Sequence, residues 1–211
     1  MKIQYLGHSS FKLTGGGVSV VTDPYAPEVG FKMPPVTADA VTVSHHHFDH
    51  DYVKAVGGNP RIIECAGSYS LNGVQIDGVG SFHDDVCGKK RGANTIFKFR
   101  MDGMTVCHLG DLGEPCSPAL IEKIQPVDVL LIPVGGNYTI DATAAKGYVD
   151  CLKPKVVIPM HYRVDGGNID IGNIEEFTTL FAGVEDNGIS EVRLSAEDFT
   201  DKTRIIVLRR A

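Results

Sequence analysis

Residues 44–50 read Ser-His-His-His-Phe-Asp-His and follow the apolar run Ala40 to Val43. With His45, His47, Asp49 and His50 as working members, the string is His-x-His-x-Asp-His, four metal-binding side chains within six residues. One ion could not easily use all four, whereas two adjacent ions could. In extended chain, residues two apart project to the same side, so His45 and His47 can share one ion. Once the chain turns, Asp49 and His50 can face a second. His46 points the other way on this reading and is structural. Divalent ions held like this polarise a carbonyl or phosphoryl oxygen and activate water.

Three further candidates stand at the ends of strand-like runs. His83 follows Val79 to Phe82, Asp111 follows Met104 to His108 and a Leu-Gly pair, and His161 follows Val156 to Met160. Strand ends let a rigid sheet present side chains at a common edge. Taken singly, each is as well read as a hydrogen-bonded structural residue. The cluster at 45–50 changes that reading, because its ions need more ligands.

The elements that must position these residues are short. Strands are expected at Lys2–Leu6, Ser9–Thr14 and Val18–Thr22, the last two joined through Gly15-Gly16-Gly17. A proline-rich loop covers Asp23–Pro35. A short helix is expected from about Asp49 to Val56, stopped by Gly57-Gly58. Strands follow at Arg61–Glu64, Val74–Asp77, Thr95–Arg100, Met104–His108, Val129–Pro133 and Val156–Pro159. Ser117-Pro118 reads as an N-cap with proline at the first helical position, opening a helix to about Ile124. A second helix is expected over Asp141–Leu152. Asn173 with Glu176 resembles a capping box for a third, reaching about Phe181. Strands near Glu191–Leu194 and Arg204–Leu208 close the chain, which reads as rich in antiparallel strands at both ends. Two sheets packed face to face with helices outside suit this pattern, and other α/β layerings stay open.

With 211 residues, 43% hydrophobic and 22% charged, the chain suits one globular domain or at most two small ones. Its net charge of −6 is not the footprint of a general nucleic-acid binder. No apolar run approaches a membrane span, and the N-terminus MKIQYLGHSS lacks the apolar core of a signal peptide. A cytoplasmic location is expected. Five scattered cysteines without a Cys-x-x-Cys pair read as reduced thiols.

The series His45-x-His47-x-Asp49-His50, His83, Gly110-Asp111 and His161 resembles the full ligand series of the metallo-β-lactamase superfamily. Leu6-Gly7-His8-Ser9-Ser10-Phe11, Thr22-Asp23-Pro24, Arg91-Gly92-Ala93-Asn94 and Ile158-Pro159-Met160-His161-Tyr162 resemble its small metal-dependent hydrolases, the ascorbate-6-phosphate lactonase-like proteins among them. The resemblance runs along nearly the whole chain. It implies an α+β fold, the four-layer αβ/βα sandwich, as one domain over residues 1–211. It also implies that His45, His47 and His83 hold one divalent ion, that Asp49, His50 and His161 hold a second, and that Asp111 bridges them. Imidazole and carboxylate donors suit zinc first, and also manganese or iron. Two such ions, two aspartates and a bridging hydroxide sum to a formal charge of roughly +1, which favours an anionic group.

The expected activity is hydrolysis of a small lactone, ester or phosphoester, with activated water as nucleophile. Asp49 is the first candidate proton shuttle and His8 the second. Arg91 is a candidate grip on a substrate phosphate or carboxylate, or else a solvated loop charge. Tyr162 lines the pocket or simply packs. Asp23 orients a ligand histidine or merely forms the turn before Pro24. His108 reads as buried within its strand or as a support for the site. The competing readings are a nuclease of the same superfamily, a non-catalytic metal-binding protein and a di-iron redox centre. A homo-oligomer is compatible with all of them.

Overall fold

The computed structural model describes residues 1–211. The strands are β1 (Lys2–Gly7), β2 (Ser10–Gly15), β3 (Val18–Thr22), β4 (Val36–Thr37), β5 (Ala40–Thr42), β6 (Val56–Gly57), β7 (Arg61–Ile63), β8 (Gly67–Leu71), β9 (Val74–Phe82), β10 (Ala93–Met101), β11 (Met104–His108), β12 (Val129–Pro133), β13 (Val156–Met160), β14 (Val184–Asp186), β15 (Glu191–Arg193) and β16 (Arg204–Val207). The helices are α1 (Pro118–Ile124), α2 (Ala142–Leu152) and α3 (Glu175–Thr178). One sheet has the order β15-β1-β2-β3-β5-β7, the other β14-β16-β13-β12-β11-β10-β9-β8, and β4 pairs with β6 alone.

The two large sheets pack face to face. Alternate residues such as Ile3, Tyr5, Phe11 and Leu13 of the first meet Phe97, Phe99, Leu131 and Ile158 of the second in one buried cluster. The outer face of the second sheet, through Ile96, Cys107, Leu130 and Val157, buries against Leu120, Ile124, Ala145, Tyr148 and Phe177 of the helices. Over the first sheet, Leu6, Val21, Val41 and Val43 are covered by Ala38 and Val56 with Met33, Val36 and Val53. The layered α+β sandwich is therefore present, with a thin outer layer on that side.

Helix starts follow local chemistry. The Ser117 side chain accepts from Leu120 N–H with Pro118 behind it, and Asp141 caps α2 by accepting from Ala144 N–H at 2.8 Å. Other expectations need correction. No α-helix spans Asp49–Val56. The His50 and Asp51 N–H groups both return to the His47 carbonyl, and Tyr52 N–H bonds Pro24 O instead of continuing the turn. What remains is a 3₁₀ turn at Val53–Ala55. Asn173 caps nothing, because Ile174 already has helical dihedrals and α3 is a single turn. β8 and β14 were not expected, since their largely exposed residues carry little apolar alternation. The C-terminal strands are also not uniformly antiparallel, as β16 runs parallel to both β13 and β14.

Strand direction is what gathers the site. β1 and β3 are each antiparallel to β2, and β3, β5 and β7 are parallel. In the second sheet β9 and β11 are each antiparallel to β10, and β11, β12 and β13 are parallel. The C-terminal ends of β1, β3 and β5 therefore lie at one edge, as do those of β9, β11 and β13.

Leu131, fully buried between the sheets, sets a scale for this core. Leu131→Ala is expected to cost about 2–5 kcal/mol in urea denaturation, whereas Ile189→Ala at an exposed site should stay within about 0.5 kcal/mol.

Candidate metal centre

Each candidate site residue leaves the end of one of these strands. His8 follows β1, Asp23 follows β3, the string His45 to His50 follows β5, His83 follows β9, Asp111 follows β11, and His161 follows β13. Three of them take left-handed backbone conformations to turn inward, at φ 53° for His8, 39° for Asp23 and 51° for His161. Such strain is held where surrounding structure over-determines it. Here three hydrogen bonds tie the two sheets together at the same edge. His161 N–H donates to His8 O at 3.0 Å and Thr95 N–H to Ser44 O at 2.8 Å, and His108 Nε2 donates to Ser9 O at 2.8 Å.

The side chains form two main groups, and Asp23, His45 and His50 make a third that shares one histidine with each. His45, His47 and His83 bring ring nitrogens within 4.8 Å of one another, and so do His8, Asp49, His50 and His161 with their nitrogens and carboxylate oxygen. His45 Nε2 lies 3.0 Å from His47 Nδ1. Asp111 Oδ2 stands between the groups, 3.8 Å from His45 Nε2, 3.4 Å from His83 Nε2, and 3.2 Å from both His50 Nε2 and His161 Nε2. His46 is mostly exposed and faces Asp51 at 3.6 Å, away from this cluster.

Hydrogen bonds prepare the nitrogens for ligation. Asp23 accepts from Ser44 N–H at 2.8 Å, from the Ser44 hydroxyl, and from His50 Nδ1 at 2.9 Å. With its proton on Nδ1, His50 turns the lone pair of Nε2 inward. The Ser44 hydroxyl is spent on Asp23, so its oxygen accepts from His45 Nδ1 at 2.9 Å, which frees His45 Nε2 in the same way. Asp23 thus orients the His50 ring directly and the His45 ring through Ser44. His108 receives Gly110 N–H on Nδ1 at 3.2 Å, and Asn94 Oδ1 receives Asp111 N–H at 2.9 Å. Gly110 has φ 58°, and a Cβ there would meet Asn94 Oδ1 and the Ser44 side chain, so only glycine lets Asp111 approach. Ser44 and Asn94 were not singled out from sequence for these roles. The local signals were a serine ahead of the histidine string and the Arg-Gly-Ala-Asn segment.

The donor set fits a metal. His50 Nε2 and Asp111 Oδ1 are buried without a hydrogen-bond partner, beside further carboxylate oxygens. Charge tells the same story. Burial opposes ionisation of Asp111, yet His161 and His50 outweigh it and hold the carboxyl well below its usual range. Burial likewise opposes a charge on His50, and Asp111 and Asp49 outweigh it and raise its pKa. Asp49 is buried too, and His50 and His8 keep it below the carboxylate range. By contrast burial, reinforced by His50, pushes His45 down to about 3, and burial with His161 pushes His8 down to about 4. Ionised, buried Asp49 and Asp111 beside the neutral imidazole of His45 make a setting that suits a cation.

A cavity of about 500 Å³ opens over the cluster, lined by His47, Asp49, His83, Asp111 and His161 together with Phe48, Arg91, Tyr138, Asn168, Ile169 and Asp170. Asp84, unremarked in the sequence, accepts N–H bonds from Val86, Gly88, Lys90 and Arg91 at 2.7–2.9 Å and so shapes the loop that carries Arg91. Arg91 Nη2 donates to Asn137 O at 3.0 Å and has no carboxylate partner. Tyr162 does not line this cavity. Neighbouring residues diverge at the end of β13, so its ring lies 6.4 Å from that of Tyr5 and its hydroxyl donates to Leu208 O at 3.4 Å.

Similarity to known proteins agrees with this geometry. Residues 2–161 match the model of a family described as the beta-lactamase superfamily domain. A UPF0173 metal-dependent hydrolase of Pelotomaculum thermopropionicum is 32% identical over 193 residues, covering 77% of this chain and 84% of that one. One from Methanospirillum hungatei is 31% identical over 185 residues, covering 77% and 83%. The crystal structure of a Thermotoga maritima protein, described there as a candidate Zn-dependent hydrolase of the metallo-β-lactamase superfamily, superposes with TM-score 0.82 at 40% identity over 99% of each chain. No helix is long and apolar enough to cross a membrane. With its matched residues, shared fold and histidine–aspartate cluster, the chain belongs to the metallo-β-lactamase superfamily, among its metal-dependent hydrolases.

Proposed function

We propose that the chain is a single hydrolase domain with a binuclear centre, cleaving a small anionic lactone, ester or phosphoester. The observation that carries this reading is the place of Asp111 Oδ2, within 3.8 Å of one ring nitrogen from each of four histidines drawn from two separate groups. His45, His47 and His83 would hold one ion and Asp49, His50 and His161 the other, with Asp111 shared. Zinc suits these nitrogen and oxygen donors, with manganese and iron as alternatives. When bound, such ions supply Lewis-acid polarisation of the scissile group and make water acidic enough to attack near neutral pH.

The chain's own groups complete the reaction. Asp49 takes the proton of the attacking water and delivers it to the leaving oxygen. His8 Nε2, 3.1 Å from Asp49 Oδ2, holds that carboxylate in place and offers a second route for the proton. For an ester, the water oxygen bonds to the carbonyl carbon and the acyl–oxygen bond breaks. The alcohol leaves with that proton, and the acid product releases the second proton of the water to solvent and remains as a carboxylate. Arg91, fixed by its Asp84-organised loop, anchors a distal anionic group. The net charge of −6 gives no pull on a polyanion, so a small molecule is favoured over nucleic acid.

Asp111→Ala is expected to lose most of both ions, while His46→Ala keeps near-normal metal content, as measured by elemental analysis of folded protein. Equal losses in the two variants would refute the shared position of Asp111. Arg91→Ala should leave metal content intact and lower kcat/KM for an anionic substrate by about 10- to 100-fold, mainly through KM, since a charge-assisted hydrogen bond is worth about 1.5–3 kcal/mol. A neutral analogue should lose much less, and equal losses for both would make Arg91 a structural loop residue.

A further inference from the structure

Five large apolar side chains are notably exposed, and two of them, Phe48 at 50% and Tyr138 at 38%, stand on the rim of the cavity over the metal cluster. Core packing explains neither. Phe48 lies between the candidate ligands His47 and Asp49, and its carbonyl is pinned by Ala26 N–H at 3.0 Å. Tyr138 is fixed by its own N–H to Gly136 O at 2.7 Å and lies under the Arg91 guanidinium, 5.5 Å from ring centroid to Cζ. The half-buried Ile169 completes the apolar wall. Its segment is held by Asn168 N–H to Val29 O at 2.8 Å and by Asn137 Nδ2 to Asp170 O at 2.7 Å. These hydrogen bonds fix the main chain that carries the three side chains.

Charge on the same walls is sparse. Arg91 is the one cation in the lining, and most of its five N–H donors are unspent. Asp170, already paired with Arg163 at 3.0 Å, adds a carboxylate to the same lining. One anionic group is served there and a second is not. We propose that Phe48, Tyr138 and Ile169 form a binding subsite for an aromatic or bulky apolar group, so that the preferred substrates are small monoanionic carboxylates in which an aryl or branched apolar group lies next to the scissile ester. The ester part rests on the hydrolase reading above. The subsite itself does not, since binding can be measured without turnover.

The test uses two pairs of compounds with the zinc-loaded protein. N-benzyl and N-methyl succinamate share a carboxylate and an uncleaved amide, and titration calorimetry gives their Kd values. Benzyl and methyl hemisuccinate give the corresponding turnover. The benzyl compounds are expected to bind, and to react in kcat/KM, at least about tenfold better than the methyl ones, as filling an apolar pocket warrants. Phe48→Ala and Tyr138→Ala should each reduce that preference to about threefold or less, with metal content checked in both. Tyr138→Ala lies away from the ligand string and decides the matter if Phe48→Ala disturbs the metals. The subsite is overturned if the benzyl amide shows no binding or less than a twofold preference, or if both variants keep the full preference. Preferential benzyl binding with no cleavage of either ester would leave the subsite standing and remove the ester-hydrolase reading. Cleavage of both esters without preference would do the reverse.

Discussion

The structure turns on one buried carboxylate. Asp111 is 2% exposed, and its Oδ2 faces ring nitrogens of His45, His50, His83 and His161 at 3.2–3.8 Å. A buried carboxylate without compensation costs several kcal/mol, so the fold must bring positive charge to it. It does so from both sheets, since His45 and His50 belong to the β5 side and His83 and His161 to the ends of β9 and β13. Neither sheet could do this alone. Register between the sheets is held by the three hydrogen bonds at the site edge, and by a core that fills the space between them.

That arrangement depends on chain direction. Because the ligand-bearing strands of each sheet all finish at one edge, a set of residues spread from 8 to 161 converges without long loops. The cost is local. His8, Asp23 and His161 occupy left-handed backbone, and Gly110 gives up its side chain so that Asp111 can enter. The protein holds these positions with a surrounding set of hydrogen bonds. Asp23 and Ser44 set the tautomers of His50 and His45, and His108 and Asn94 fix the two residues on either side of the Gly110–Asp111 bond. The cavity then adds a different chemistry at its rim, one cation and two exposed aromatic rings above an ionisable floor.

How far the sequence spoke depended on how local each interaction is. The His45 to His50 string was legible because its members lie within six residues, although the chain there is bend and turn rather than the extended strand that the alternation argument assumed. The distant ligands could be picked out as strand-end residues, and their grouping came from resemblance to a family rather than from spacing. Supporting residues were hard to see because their partners are remote. Asn94 clamps Asp111 from 17 residues away, and Ser44 reaches Asp23 across 21. Asp84 is different, an unremarked residue whose partners are close in sequence, four N–H groups of its own loop that converge on it only once the loop has folded. Tyr162 misled for the opposite reason, since being next to a ligand in sequence places a side chain on the other face of the strand. The missing helix after His50 has the same origin, as tertiary bonds to Pro24 and the site override a weak local preference.

The central claim is that Asp111 is shared by two ions. Anomalous diffraction at the zinc edge from crystals of the metal-replete protein tests it most directly. The account predicts two peaks about 3.5–4 Å apart, one beside His45, His47 and His83 and one beside Asp49, His50 and His161, with an Asp111 oxygen reaching both. A single peak at full loading, or two peaks with Asp111 bound to neither or to only one, would contradict it.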